Sequence, residues 1–116
     1  MTDKREIVAE KSLEEMAKEK FGEKLDVWKA QYAPKQLMVI AVEDKMIVLK
    51  PITPAVFSQY STLLARDGMA EATRYALNEM TLGGDAEVID DDDYFMSAIM
   101  QFNAVVELKK GRASKL

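Results

Sequence analysis

Residues 82–95 hold the densest group of side chains that could do chemistry in this chain, LGGDAEVIDDDDYF. Two glycines precede six carboxylates, and two aromatic residues follow them. Carboxylates at such spacing suggest a divalent-metal site, a glycine pair suggests a phosphate-binding loop, and paired acids suggest acid–base catalysis. Two further alternatives are a docking patch for a basic partner and the boundary between two helices.

The three chemical alternatives fit the spacing poorly. A calcium loop that starts at Asp85 would place Ile89 at its fifth position and Met96 at its twelfth, where oxygen ligands are needed. A phosphate-binding loop needs a further glycine and a lysine, and the carboxylates would repel its ligand. Nothing places a carboxylate pair in a pocket. We therefore predict no metal and no cofactor here.

Composition argues against an enzyme more broadly. The 116 residues include no cysteine and no histidine, so the usual nucleophiles, general bases and transition-metal ligands are missing. We expect a non-enzymatic protein. Apolar residues make up 48% of the chain and charged residues 31%, which predicts one folded domain.

The charge is uneven along the chain. The net charge is −4, and because the acid run contributes −6, the remaining residues sum to +2. A nucleic-acid binder would show a basic face, but the basic cluster is a short tail, Lys109, Lys110, Arg112 and Lys115. No run has the length of a signal peptide or a membrane span. We expect a cytoplasmic protein that binds neither nucleic acid nor membrane.

An N-terminal helix is the first element predicted around these groups. Ser12 and Glu15 have capping-box spacing, Gly22 could divide the helix, and Pro34 ends it. Its apolar stripe consists of Leu13, Ala17, Phe21, Leu25, Trp28 and Tyr32.

A β-hairpin is predicted over residues 37–50, where two aliphatic runs flank an acidic turn at residues 43–45. Both faces of its strands are apolar, and a lone hairpin is only marginally stable in water. One face should pack on helices. The other is covered either by the N-terminal helix or by a neighbouring subunit.

Three helices should follow the hairpin. Thr53 caps the first, with Pro54 at its first position and Gly68 as its stop. Its expected buried residues are Phe57, Tyr60 and Leu64, and those of the next helix are Met69, Ala72, Ala76, Leu77 and Met80. The predicted fold class is α+β, mainly α: an N-terminal helix, one β-hairpin, then three helices in a small bundle.

The acid run is best interpreted as the boundary between the last two helices. Gly83 and Gly84 end one helix, and Asp90 caps the next, with Asp91 to Asp93 facing the positive end of its dipole. Ile89 and Tyr94 stand at staple positions, and apolar residues continue this helix at Phe95, Ala98, Ile99, Phe102, Val105 and Val106.

Partner binding is the remaining role for several side chains. Trp28 and Tyr32 are most simply core residues, with an interface anchor as the alternative. Helix capping gives no role to Asp85 and Glu87. We therefore expect these two carboxylates to form ion pairs with a basic partner. The predicted contact surface consists of Trp28, Tyr32, the exposed side of the hairpin at Met46 and Val48, and Asp85, Glu87, Asp91 and Asp92.

The order of DVWKAQYA, VIAVEDKMIVLKP, QYSTLLARDG and ALNEMTLGGDAEVIDDDDYFMSAIMQFNAVVELKK resembles the tail assembly chaperones of long-tailed bacteriophages and prophages. The similarity covers residues 25–110, and its most specific element is the Leu-Gly-Gly-Asp that starts at Leu82. The resemblance implies a helical extension over 1–24 and a single chaperone-like domain over 25–116. It also implies a non-enzymatic protein of the host cytoplasm that binds the tape-measure protein and the major tail protein, with a homo-oligomer as one form.

Two other classes stay open at this level. A structural phage component, or an unrelated small bacterial adaptor, could share the same short α/β plan. Gene order separates them, because a tail chaperone gene should lie between a major tail gene and a very long tape-measure gene.

Overall fold

The computed structural model describes residues 12–109, with side chains up to residue 106. The described chain is mostly helical with a small antiparallel sheet, so the predicted class, α+β and mainly α, is confirmed. The elements are α1 (Leu13–Phe21), α2 (Glu23–Tyr32), β1 (Met38–Val42), β2 (Lys45–Leu49), α3 (Pro54–Asp67), α4 (Met69–Met80), β3 (Thr81–Gly84), α5 (Glu87–Asp90) and α6 (Asp92–Lys109).

The predicted hairpin is confirmed and forms the middle of the fold. β1 pairs antiparallel with β2, with Ile40 opposite Ile47, and the turn between them holds Glu43 at a φ of 56°. Because side chains alternate along a strand, Ile40, Ile47 and Leu49 face one side while Met46 and Val48 face the other. The sheet therefore carries two cores.

The main core lies between the sheet and helices α3 to α6. Tyr60 packs edge to face against Phe102, with ring centroids 5.5 Å apart. The predicted stripe of α3 is partly wrong, because Phe57 and Leu64 are each 37% exposed and Val56 is buried with Tyr60 instead. Met69 at the start of α4 is also exposed, whereas the other residues predicted to be buried on α4 are buried. The helical period was right, but the direction in which α3 faces the core depends on tertiary packing.

The N-terminal helix divides at Gly22 into α1 and α2. Gly22 has a φ of 57° and its amide donates to the Lys18 carbonyl at 2.9 Å. Ser12 caps α1 as predicted, since Ser12 Oγ accepts from the Glu15 amide at 3.1 Å. The two helices pack on the second face of the sheet and build the N-terminal core, whose buried residues are Ala17, Leu25, Met46 and Val48.

The second hairpin face is therefore covered by the chain's own N-terminal helices. The boundary drawn at residue 24 falls inside α2, and α1 before it already packs against β1. The division into an extension and a domain stays a prediction.

The prediction that Gly83 and Gly84 end a helix is wrong. α4 ends at Met80, and Thr81–Gly84 form a third strand that pairs antiparallel with β2, Ile47 lying opposite Gly84. Glycine is depleted in strands, so the sequence indicated that the glycine pair ends an element. The pair nevertheless lies in a strand, because other backbone and side-chain atoms approach both glycines closely.

The start of the last helix is displaced from the predicted position. Residues Glu87–Asp90 form the short helix α5, and Asp91, not Asp90, caps α6: its Oδ1 accepts from the Asp93 amide at 2.9 Å. Asp92 and Asp93 occupy the first turn, as the dipole argument requires. Ile89 is buried in the main core.

The remaining expectations concern the termini and the membrane. Between residues 12 and 109, no helix is long and apolar enough to cross a bilayer. The tail residues Lys110, Arg112 and Lys115 lie outside the described residues.

Candidate functional site

The Gly-Gly-Asp segment, from Gly83 to Asp85, is a structural junction. A Cβ at Gly83 would lie 2.7 Å from Trp28 Cη2, and one at Gly84 would lie 2.2 Å from the Met46 carbonyl oxygen. Gly84 also has a φ of 131°, which L side chains rarely adopt. Both positions therefore need glycine, one for the Trp28 ring and one for the neighbouring strand.

Asp85 closes this junction by continuing the strand pairing with its side chain. The Met46 amide donates to Asp85 Oδ2 at 2.9 Å, and the Asp85 amide donates to the Met46 carbonyl at 2.9 Å. Lys20 Nζ of α1 lies 2.7 Å from the same carboxylate. Burial would raise the pKa of Asp85, but the Lys20 and Met46 hydrogen bonds, with the charges of Lys20 and Lys45, outweigh it and lower that pKa.

Glu87 continues the pattern on the same side. Its Oε2 lies 3.2 Å from Lys45 Nζ at the start of β2, and its hydrogen bond and charge raise the pKa of Lys45. Lys20 Nζ also donates to the Asp44 carbonyl at 3.3 Å. Asp85 and Glu87, which have no role in helix capping, thus bind groups of the same chain. Their contacts connect the segment after β3 with α1 and with β2 at the hairpin turn.

The predicted contact residues divide into two groups in space. Met46 and Val48 are 3% and 0% exposed, so the expectation of an exposed hairpin side there is wrong, because α1 and α2 cover that face. Trp28 is half-buried and packs edge to face on Phe21 at 5.6 Å. Met46, Val48, Trp28 and Asp85 meet around the N-terminal core.

The other predicted contact residues are more accessible. Tyr32 is half-buried at the end of α2, and Asp91 and Asp92 are exposed at the start of α6. Across the described part of the chain, no three acidic side chains converge in an arrangement that could hold a metal ion. The acid run is therefore spread over two junctions rather than gathered in one site.

A groove lies beside the N-terminal core. It has a volume of 510 Å³ and opens between α1, α2 and the chain that enters β1. Both apolar and polar side chains line it. We call the apolar lining residues its floor and the polar ones its rim: the floor is Leu13, Ala17, Leu25, Leu37 and Val39, and the rim is Glu14, Lys29, Lys35 and Gln36.

An ion pair links α1 and α2 at this groove. Lys29 and Glu14 form an ion pair across the rim, and that pairing lowers the pKa of Glu14. Leu13 is 47% exposed where it reaches the groove. The sequence placed Leu13 in an apolar stripe, and only the fold shows that this stripe ends in an open groove.

A second apolar surface lies on α6. Met96 and Met100 are 60% and 69% exposed, one turn apart, and Ala104 is exposed one further turn along. The buried residues of α6 lie on its other side and include Phe95, Ala98 and Phe102. We define the α6 stripe as Met96, Met100 and Ala104.

Comparisons with protein-family models, with curated proteins and with solved structures found no match to this chain. The groove and the sequence resemblance are therefore the basis for the function proposed below.

Proposed function

We propose that this protein is a non-enzymatic tail assembly chaperone of a bacteriophage or prophage, acting in the host cytoplasm on the tape-measure protein. The observation that carries the proposal is the resemblance of residues 25–110, centred on Leu82-Gly83-Gly84-Asp85 and the acidic segment after it. Recruitment of the major tail protein belongs to the same proposal, without an assigned surface.

The groove supports this proposal through its shape. An amphipathic helix binds a groove with apolar side chains at every third or fourth position, and the floor from Leu13 to Val39 offers apolar atoms to such a row. Because Glu14 and Lys29 pair with each other, Lys35 leaves the rim with one net positive charge, which favours a helix that carries a flanking acid. A tape-measure helix with one apolar face would thus lose its exposed apolar area while bound.

Co-expression with the tape-measure protein tests the proposal. We expect the chaperone to copurify with it and to increase its soluble fraction severalfold. Leu13→Glu should abolish both effects, because it places a charge on the groove floor at a side chain already 47% exposed. Leu64→Glu, on α3 and 37% exposed outside the groove, is the matched control and should behave as wild type.

Two results would overturn the proposal in different ways. Absence of a complex, with no gain in tape-measure solubility, removes the chaperone function. Equal losses in Leu13→Glu and Leu64→Glu remove the groove as its site.

Composition of the finished particle separates a chaperone from a structural tail component. A chaperone leaves the assembly, so mass spectrometry of purified tails should find this chain far below the copy number of a structural subunit. Stoichiometric retention would favour the structural class instead.

A further inference from the structure

The methionines of the described chain differ widely in their exposure to solvent. Met100 and Met96 of the α6 stripe are 69% and 60% exposed, and Met69 at the start of α4 is 40% exposed. Met16 on α1 is half-buried. The remaining three are at most 8% exposed and lie in the two cores: Met38, Met46 and Met80. A reaction that needs access to the thioether sulfur should therefore separate these residues.

Oxidation by a peroxide is such a reaction, because it converts the methionine thioether into a sulfoxide. A lone pair of the sulfur attacks one oxygen of hydrogen peroxide, the O–O bond breaks, and the second oxygen leaves as water with both protons. The sulfur loses two electrons and the peroxide gains them. The peroxide must touch the sulfur, and the close packing of a protein core prevents that contact.

The two most exposed methionines lie on the same side of α6. They are four residues apart, so they are neighbours on the helix surface. The other side of this helix packs into the main core through Phe95, Ala98 and Phe102. A sulfoxide is polar and disrupts a core that contains it, but at Met96 and Met100 it would lie in water. Oxidation here would change the surface of α6 and leave its packing in place.

We propose that Met96 and Met100 form a paired oxidation site, at which hydrogen peroxide turns the α6 stripe from an apolar into a polar surface while the fold is retained. The two sulfoxides replace the large apolar side chains of the stripe and leave only Ala104 unchanged. This inference is independent of the proposed function, because neither methionine lines the groove.

Peptide mapping of the full chain by mass spectrometry, after treatment with hydrogen peroxide, tests the site. We expect Met96 and Met100 to be oxidised roughly tenfold faster than the three core methionines, because only exposed sulfurs meet the oxidant. In concentrated urea this difference should disappear, since unfolding exposes every sulfur. Equal rates in the folded chain, or the same difference in urea, would overturn the assignment of the site to the fold.

A double variant, Met96→Leu/Met100→Leu, tests the change of the surface. Its α6 stripe stays apolar but has no sulfur to oxidise. Peroxide should move wild type to earlier elution from a hydrophobic-interaction column and should move the double variant little. Met69→Leu is the matched control, because it removes an exposed methionine outside the stripe, and it should shift as wild type does.

Thermal melting tests whether the fold is retained. The oxidised wild type should melt within a few degrees of the untreated protein, because both sulfoxides lie on the solvent side of α6. An equal chromatographic shift in the double variant, or loss of the melting transition once Met96 and Met100 alone are oxidised, would overturn the proposal.

Discussion

At the residue scale, the acid run consists of side chains with separate tasks. Asp85 binds the backbone of β2 and Lys20, Glu87 pairs with Lys45, and Asp91 caps α6. Spacing alone cannot distinguish these tasks, because Asp85 depends on Met46, which is 39 positions away. The cap was predictable to within one residue, since its partners are local.

Asp85→Asn tests the junction and gives a stability effect that depends on pH. The folded-state pKa of Asp85 is lowered, so its contribution is present above the unfolded pKa of about 3.9 and is lost as pH falls through the folded value. We expect Asp85→Asn to lower the free energy of unfolding by about 1–3 kcal/mol at pH 7. This difference from wild type should become smaller below about pH 4.

Urea denaturation of both proteins from pH 3 to pH 8 measures this difference. Asp67→Asn is the control, because Asp67 pairs with Arg66 on the surface and exposed pairs contribute little. A gap between Asp85→Asn and wild type that does not change with pH would mean that the carboxylate charge has no part in it.

At the element scale, β3 joins the helical bundle to the sheet. The chain passes directly from helix into strand, because α4 ends at Met80 and β3 begins at Thr81. The Lys50 amide donates to the Met80 carbonyl at 2.9 Å at this point. The hairpin, the Thr53 cap and the Gly68 stop were predictable because each depends on neighbours within a few residues. β3 and the groove were not, since both arise from contacts between distant segments.

Gly84→Ala tests how tightly β3 is held. A methyl group would lie 2.2 Å from the Met46 carbonyl oxygen, at a φ of 131°, so strain and overlap should cost about 2 kcal/mol or more. Gly22→Ala is the matched control, because Gly22 also has a positive φ but a methyl group there would meet no atom within 4 Å; its cost should be roughly 1 kcal/mol. Equal shifts in the urea midpoint would contradict the role of close packing at Gly84.

At the scale of the whole molecule, one small sheet organises two cores of unequal size. The main core takes four helices and the N-terminal core takes two. The groove is open because α1 and α2 cover β2 more fully than they cover the start of β1 and the residue before it. Met46 and Val48 of β2 are buried, whereas Leu37 and Val39 are half-buried. The surface proposed to bind a partner is thus the incomplete margin of the smaller core.

Removal of residues 1–24 tests whether α1 belongs to the domain. The truncated chain loses Ala17 from the N-terminal core and Lys20 from the Asp85 junction. We expect a lower melting temperature and stronger binding of a hydrophobic dye, because Met46 and Val48 become accessible to water. Lys20→Ala in the full chain removes the ion pair alone and should lower the melting temperature less, without the dye signal. If the truncated chain matched wild type in both measurements, α1 would be a dispensable extension and the N-terminal core would depend on α2.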